Sequence, residues 1–323
     1  MNQALLLCLS HTPLMGRLDP EIGVENEVRQ AIGRLAESLT QFEPELIFLF
    51  GPDHFNGFFY DLMPSFCIGA AAESIGDYDC LAGPLSVPAE LAEACVEAIQ
   101  ADGIDCAISH RMRVDHGFAQ PLQLLTGGLS NYPVIPIFIN SVAPPLPTAN
   151  RARLLGEAVG RYAATLKRRV VFMASGGLSH SPPVPTLATA TPEIAARLID
   201  GRNVTLEQRS EREARTLAAA RQFATGRSDL PALNPGWDQE FLDMLVRQDA
   251  AALDALTNKQ ITRDAGSSGH EVKTWIAAQA AMAASTEGSY SVRPEYYRAI
   301  PEWIAGFAVL QGGTDDSYKG DNP

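Results

Sequence analysis

Two histidines of this chain lie in nearly identical five-residue segments. The segment LSHTP covers residues 9–13 and LSHSP covers residues 178–182, in a chain that contains only six histidines. Each of the two, His11 and His180, comes shortly after a strand-like apolar run and two residues before a proline. Imidazole binds divalent metals and transfers protons near neutral pH. The repeat therefore raises the question of whether both side chains serve one reactive site.

Five of the six histidines follow strand-like runs. His54 comes after the second run, His110 and His116 after the third, and the two repeated histidines after the first and the fifth. Ligands of open α/β sheets bind beyond the carboxyl ends of the strands, where loops from several strands converge. We therefore predict a cluster of imidazoles in space. A lone loop histidine is usually a locally hydrogen-bonded residue, and we assign that structural role to His110, beside Arg111.

Glu271 has two interpretations on the residues alone. Ser268 and Glu271 match S-x-x-E, the capping-box pattern at a helix start, which gives the glutamate a structural role. Alternatively, a site of neutral imidazoles with a divalent metal still needs a carboxylate, and two histidines plus one carboxylate is the ligand set of non-haem Fe(II) oxygenases. His270 lies about 100° around a helix from Glu271, so we do not expect both on one metal face.

The hydrophobic pattern predicts an α/β fold with a central, mostly parallel or mixed β-sheet flanked by helices, and a helical C-terminal half. Strand-like runs cover residues 4–10, 45–52, 105–109, 133–140 and 168–175, and helix-like stretches between them include residues 25–42 and 88–103. From residue 191 onward the pattern is mainly helical. Thr191 is the predicted N-cap of the first of these helices, with Pro192 at the first helical position.

Composition indicates one globular unit. Apolar residues make up 46% and charged residues 20% of the 323 residues, which is ordinary for a folded protein. We predict a single α/β catalytic domain over residues 1–311. Residues 312–323 are polar and glycine-rich, and we predict a mobile tail there.

The net charge and the cysteines indicate which partners and which cellular compartment to expect. The net charge is -13, and nucleic-acid binding depends on clustered lysine and arginine, so we expect no nucleic-acid partner. The five cysteines form no C-x-x-C pair, which indicates reduced thiols rather than a disulfide framework or a thiolate zinc site. The first apolar run lacks a basic region and is too short to span a membrane. We expect a cytoplasmic protein without a membrane partner.

Five motifs together resemble one enzyme family. They are CLSHTPLMG, GPDHFNGFFYDLMPSFCIG, VDHGFAQPL, SGGLSHSPPVP and GHEVKTWIAA, with IPEWIAGF near the end. This set, in this order, resembles the class III extradiol catechol dioxygenases from residue 4 to about residue 310. The family opens a catechol ring with O₂ and incorporates both oxygen atoms.

The resemblance implies a role for each site residue. His11, His54 and Glu271 would hold one Fe(II), while His116 and His180 would be the acid and base. We take His180 as the base and His116 as the acid, and exchanging the two roles leaves the same site. The implied partners are a small-molecule catechol and O₂, and the family favours a homo-oligomer.

The implied substrate is 2,3-dihydroxyphenylpropionate or its cinnamate analogue, opened to 2-hydroxy-6-oxonona-2,4-diene-1,9-dioate or the triene. Its side-chain carboxylate would need a cation. The candidates are Arg111, Arg113, Arg293 and Arg298. An aromatic group near His54 could face the ring or belong to the core; it comprises Phe55, Phe58, Phe59 and Tyr60. Asp115 is expected to help set the protonation state of His116 beside it.

Two other classes of protein share such a scaffold. A zinc hydrolase or lyase would use the same ligands, because Zn²⁺ binds a given site more tightly than Fe²⁺. A non-catalytic binding protein would keep the pocket but is expected to lose an acid–base histidine or the glutamate. All five residues are present here.

Overall fold

The computed structural model describes residues 3–314. The strands are β1 (Ala4–Leu9), β2 (Leu46–Gly51), β3 (Phe66–Gly69), β4 (Ala72–Ile75), β5 (Ala82–Pro84), β6 (Ala107–Ser109), β7 (Met112–Val114), β8 (Val134–Ile139), β9 (Val170–Ser175), β10 (Ser291–Ile300) and β11 (Ala305–Gly313). The helices are α1 (Val24–Phe42), α2 (Ala89–Ala101), α3 (His116–Thr126), α4 (Ala149–Leu166), α5 (Pro192–Asp200), α6 (Leu206–Ala224), α7 (Pro235–Val246), α8 (Ala250–Ala255), α9 (Asn258–Ala265) and α10 (Val272–Ser285). Within this part of the chain, no helix is both long enough and apolar enough to cross a membrane.

The central sheet is mixed and has eight strands, in the order β10-β11-β1-β9-β2-β8-β3-β6. Its four middle strands, β1, β9, β2 and β8, are parallel to one another. The strands next to this group, β11 and β3, are antiparallel to it. A small second sheet has the order β5-β4-β7. The predicted fold class, a mixed sheet flanked by helices, is confirmed.

The middle strands are buried on both faces because each face carries its own hydrophobic core. Alternate residues of a strand point to opposite faces. Leu5 and Leu7 of β1 therefore pack into the core beneath α1 and α3, and Leu6 and Cys8 pack into the core beneath α2, α4 and α10. This two-sided burial is why the strands read as continuous apolar runs rather than alternating ones.

The C-terminal half is helical from α5 through α10, as predicted, and the Thr191 side chain accepts a hydrogen bond from the backbone of Ile194 as the predicted N-cap. The β10–β11 hairpin was not predicted. β11 pairs with β1, which lies at the other end of the sequence, and all nine residues of β11 are buried. Because pairing partners this distant in sequence leave no local signal, the sequence of β11 did not indicate a strand.

The predicted tail begins too early. β11 continues through Gly313 because Gly312 and Gly313 pair with both β1 and β10. The rest of the predicted tail, from residue 315 on, lies outside the described residues. The single catalytic domain over residues 1–311 stays a prediction; it is supported by the one sheet that carries both cores.

Helices α4 and α10 approach each other closely along a seam of small residues. A Cβ placed on Gly156 would lie 2.0 Å from the Ala277 carbonyl oxygen, and one placed on Gly160 would lie 2.2 Å from the Ala281 carbonyl oxygen. No side chain fits between the two backbones. Since Glu271 immediately precedes α10, this seam also sets the position of the glutamate.

We expect Gly156→Ala to destabilise the protein by about 1–3 kcal/mol, because the added methyl must push α10 away from α4. Gly33→Ala is the matched control in helix α1: its new Cβ meets no atom within 4 Å. The control should be neutral or stabilising by about 1 kcal/mol or less. Urea unfolding followed by circular dichroism measures both, and equal midpoints for the two variants would contradict the packing argument.

Candidate metal centre and its cavity

Five predicted site residues come together at one edge of the sheet. The adjacent parallel strands β1, β9 and β2 end at the same edge, and His11, His180 and His54 lie in the loops that follow them. His116 is the first residue of α3. The ring centroid of His11 lies 5.3 Å from that of His54 and 5.3 Å from that of His116. The predicted imidazole cluster is therefore present.

Glu271 is the carboxylate at the centre of this cluster. Its Oε1 lies 3.2 Å from His54 Nε2 and 3.3 Å from His180 Nε2, and its Oε2 lies 3.7 Å from His11 Nε2. The backbone N–H of Gly177 donates to Oε2 at 2.9 Å. Gly176 must be glycine, since a Cβ there would lie 2.7 Å from the Glu271 Cβ.

The capping-box interpretation of Glu271 is wrong. Residues Gly269–Glu271 form a single 3-10 turn, and no side-chain cap bond joins Ser268 to it. The glutamate points into the cluster instead, with no exposed surface. His270 points elsewhere, as expected: its Nε2 contacts Thr262 Oγ1 at 2.8 Å and its Nδ1 accepts from Lys273 Nζ at 3.0 Å.

Each imidazole of the cluster is held by the protein through Nδ1. The Nδ1 contacts are His11 with Ser175 Oγ at 2.9 Å, His54 with Asp115 at 3.0 Å, His116 with Asp77 at 2.6 Å and His180 with the Leu178 carbonyl at 3.1 Å. A carboxylate or carbonyl can only accept, so it fixes the proton on Nδ1 and leaves the Nε2 lone pair free for a metal or a proton.

The donor set requires a cation. With its Nδ1 proton donated to Asp115, His54 presents a lone pair at Nε2 to the Glu271 carboxylate 3.2 Å away. Two acceptors at this distance repel unless a proton or a metal ion lies between them. Donors bound at right angles to one ion at about 2.1 Å lie roughly 3 Å apart. The separations around Glu271 therefore fit a shared divalent ion.

The titration properties of the cluster follow from burial and charge. Burial lowers the pKa of His11 to about 3, which keeps this imidazole neutral, as a metal ligand must be. Burial alone would also lower the pKa of His54, but the Asp115 carboxylate outweighs it and raises the pKa well above the usual value. Burial would raise the pKa of Glu271, but His180 and His11 outweigh it and hold the pKa well below its usual range.

Three of the histidines lie close enough together to share one metal ion. One ligand atom each from His11, His54 and His116 lies within 4.8 Å of the others. The rings of His54 and His116, however, are stacked, with centroids 4.5 Å apart and planes at 16°. Lone pairs lie in the ring plane, so stacked rings direct them along parallel planes rather than to one point. Glu271 is therefore the better third donor beside His11 and His54.

Asp115, which the sequence predicts as the partner of His116, makes no hydrogen bond to that ring within the described residues. Its Oδ2 accepts from both the backbone N–H and Nδ1 of His54, while its Oδ1 caps α3 through Gly117. The partner of His116 is Asp77, which sequence reasoning missed: its Oδ1 accepts from the His116 backbone and its Oδ2 from Nδ1. Asp77 lies 39 positions away in a loop after β4, and no local motif marks it.

The cluster opens into a cavity of about 590 Å³, within the usual range for small-molecule sites. Phe55 and Phe59 line it. Phe58 stacks on Phe138 instead, with centroids 3.9 Å apart, and Tyr60 contacts the ring of Phe55. Some of these aromatic residues therefore form the cavity wall, and the others pack elsewhere.

His110 lies apart from the cluster, with 67% of its side chain exposed and Glu93 at 3.8 Å, consistent with a structural role.

The four arginines predicted for a substrate carboxylate do not line the cavity. Arg113 donates to the Arg202 carbonyl, Arg293 pairs with Glu295, and Arg298 pairs with Glu21. Arg111 lies exposed at the surface beside β7. The arginines that do line it are Arg197, Arg212 and Arg215, on the helices α5 and α6. No local pattern in the sequence distinguishes these three arginines from the others on α5 and α6, because only the fold brings them to the cavity.

Comparison with known proteins agrees with this geometry. Residues 5–308 match the model of the family described as the catalytic LigB subunit of aromatic ring-opening dioxygenase. A sheet edge that carries a histidine–carboxylate cluster next to a cavity is the kind of site such an oxidoreductase needs. The chain belongs to this family, and the predicted membership among ring-opening dioxygenases is confirmed.

Several relatives match over nearly their whole length. The 2,3-dihydroxyphenylpropionate/2,3-dihydroxicinnamic acid 1,2-dioxygenase 2 of Dechloromonas aromatica is 52% identical over 314 residues, covering 97% of this chain and 99% of the relative. The corresponding proteins of Cupriavidus pinatubonensis and Pseudomonas putida are 55% identical over 94% of the chain and 54% over 95%, covering 96% and 98% of those relatives. A crystal structure of an uncharacterized protein from Escherichia coli K12 covers 96% of this chain and 99% of its own at TM-score 0.50 and 15% identity; it shows a shared fold only.

Proposed function

We propose that this dioxygenase uses Fe(II) to open 2,3-dihydroxyphenylpropionate and 2,3-dihydroxycinnamate at the extradiol position, giving 2-hydroxy-6-oxonona-2,4-diene-1,9-dioate or the triene. The observation that carries the proposal is the convergence of His11, His54 and the buried Glu271, with both histidines lining the cavity. The names of the relatives supply the substrate. Those names do not favour a zinc hydrolase, a lyase or a non-catalytic binding protein.

His11, His54 and Glu271 are the proposed ligands of the iron. Two neutral imidazoles and one carboxylate leave room for a bidentate substrate and O₂ on the same ion. When bound, Fe(II) brings the catechol oxygens and O₂ together and lets electron density pass between them. The protein's own contribution is to hold the donors in place through Ser175, Asp115 and the Gly177 backbone.

His180 is the proposed base. The Leu178 carbonyl accepts its Nδ1 proton, so Nε2 carries the lone pair and faces the cluster. A catechol is neutral at pH 7, and ring attack by O₂ needs an electron-rich, deprotonated form. His180 therefore takes a hydroxyl proton at Nε2, a step for which a positioned base is typically worth about 10²–10⁴-fold in rate.

His116 is the proposed acid. The Asp77 carboxylate accepts hydrogen bonds from both the backbone N–H and the Nδ1 of His116. These bonds fix the ring with Nε2 directed into the cavity. His116 is therefore positioned to deliver the proton that the departing oxygen requires during ring opening. Both oxygen atoms of O₂ end in the product.

We also propose that the enzyme works in the cytoplasm as a homo-oligomer, without a nucleic-acid or membrane partner. The free, buried thiols of all five cysteines suit a reducing compartment. The net charge of -13 disfavours binding to a phosphate backbone. Large exposed apolar side chains, among them Ile22, Leu62 and Leu206, would be candidates for burial between subunits.

The first test is oxygen consumption. Protein reconstituted anaerobically with Fe(II) should consume one O₂ for each 2,3-dihydroxyphenylpropionate opened, with the yellow product appearing in parallel, and Zn²⁺ should not replace iron. An oxygen electrode and absorbance measure the two together. A protein that binds iron but consumes no O₂ with any catechol would refute the proposal.

The second test separates ligands from proton-transfer residues. His11→Ala, His54→Ala and Glu271→Ala should lose bound iron and activity together, because each removes a donor. His116→Ala and His180→Ala should keep iron near one per chain while ring opening falls by about 10²–10⁴-fold. Iron analysis beside the activity assay decides each residue separately, and stoichiometric iron in a variant of the first group would remove that residue from the ligand set.

The third test compares the two carboxylates that hold different histidines. Asp115→Asn should weaken iron binding by about 10–100-fold, because it disturbs the orientation of a ligand, His54. Asp77→Asn changes the same functional group but holds His116, so iron affinity should persist while kcat falls by up to about 10²-fold. The pair serve as controls for each other. Equal loss of iron in both variants would show that His116 belongs to the metal site.

A further inference from the structure

The wall of the cavity formed by α5 and α6 is positively charged in an otherwise acidic protein. Three arginines line it, Arg197, Arg212 and Arg215, and Glu193 is the one carboxylate among the lining residues of the described chain. The whole chain carries a net charge of -13. A local excess of cations against this background indicates a site for an anionic group.

Arg212 is connected directly to the imidazole cluster. Its Nη2 donates to Asn56 Oδ1 at 2.7 Å, and Asn56 Nδ2 donates to Asp115 Oδ2 at 2.8 Å. That same Asp115 oxygen holds the Nδ1 of His54 at 3.0 Å. Two side chains therefore separate the guanidinium from a proposed iron ligand, and Asn56 is itself buried.

Arg212 keeps most of its binding capacity. A guanidinium has five N–H donors, and over residues 3–314 its one hydrogen-bond acceptor is Asn56. No carboxylate of the described residues lies within ion-pair distance of it. Many other arginines differ: Arg17 pairs with Asp79 and Glu213, and Arg153 pairs with Glu157 and Asp254. A half-buried guanidinium left without a carboxylate is ready to take one bidentately.

The α6 face that carries Arg212 is fixed to the catalytic end of the cavity. Gln208, Arg212 and Thr216 lie four residues apart, on one side of the helix, and all three line the cavity. Thr216 Oγ1 contacts the hydroxyl of Tyr78 at 3.1 Å, and the Tyr78 ring lies 5.0 Å from the ring of His116. The guanidinium is thus held at a set position relative to the imidazoles.

The other two arginines are less suited. Arg215 is exposed and lies 3.9 Å from Glu211 on its own helix, an arrangement that leaves the guanidinium in water. Arg197 lines the cavity from α5 but has no hydrogen bond, in the part of the chain described, that ties it to the cluster. Arg212 alone of the three combines partial burial with a fixed link to His54.

We propose that Arg212 binds the side-chain carboxylate of the substrate and so determines its specificity. The inference rests on the proposed function, since it assumes a catechol whose hydroxyl groups face His11, His54 and His180. The ring then lies between the imidazoles and α6, and the propionate or acrylate arm extends to the guanidinium. A catechol with an uncharged arm would fill the same space without this ion pair.

The test uses two substrates that differ only at the end of the arm, which is a carboxylate in 2,3-dihydroxyphenylpropionate and a methyl group in 3-propylcatechol. For the iron-loaded wild type, kcat/KM should be higher for the acid. In Arg212→Gln the acid-to-neutral ratio of kcat/KM should fall by about 10–100-fold, mainly through KM of the acid, because a charge-assisted pair is lost. Arg212→Lys should recover part of the ratio, because lysine keeps the positive charge but cannot bind a carboxylate with two parallel hydrogen bonds.

Arg221→Gln is the matched control: it removes the same charge from α6 but lies outside the cavity lining. Its ratio should equal that of the wild type. The inference is overturned if Arg212→Gln keeps the wild-type ratio, or if it loses both substrates equally, which would make Arg212 a support for Asn56 only. A wild type that opens neither catechol would instead reject the proposed function.

Discussion

The structure depends on a carboxylate buried among imidazoles. Glu271 has no exposed surface, and its two oxygens face three histidines and one backbone N–H. A buried negative charge without compensation would cost several kcal/mol. The histidines can compensate only if a cation, proton or metal, is present between donor and carboxylate. The site is consequently built to hold positive charge, and a divalent ion would satisfy the carboxylate together with His11 and His54.

The fold is arranged to bring this carboxylate to the strand ends. Three adjacent parallel strands end at one edge of the sheet, and His11, His180 and His54 follow them there. Glu271 reaches the same edge from the residue just before α10. The helix can approach closely because glycines of α4 allow backbone contact, and Gly176 leaves room for the glutamate itself. Small residues far from each other in sequence therefore set the geometry of the donors.

Outside the donors, two acidic side chains orient two of the four imidazoles. Asp115 holds His54 and Asp77 holds His116, although both histidines belong to one stacked pair. The first of these carboxylates also connects, through Asn56, to Arg212 in the cavity wall. One chain of hydrogen bonds thus runs from His54 through Asp115 and Asn56 to Arg212 on α6.

The sequence by itself determined the main buried strands and helices and the histidines that come together. Continuous apolar runs identified the buried strands, and the positions of His11, His54, His116 and His180 after such runs, or near them, predicted that they meet, because strand ends of a parallel sheet share an edge. For Glu271 the S-x-x-E pattern fits a capping box as well as a metal ligand. Tertiary structure excluded the capping box and placed the carboxylate among the imidazoles, and it alone revealed Asp77, Arg212 and the β10–β11 hairpin. Each of these acts on residues dozens or hundreds of positions away, and contacts made only by folding leave no periodicity or motif in the chain.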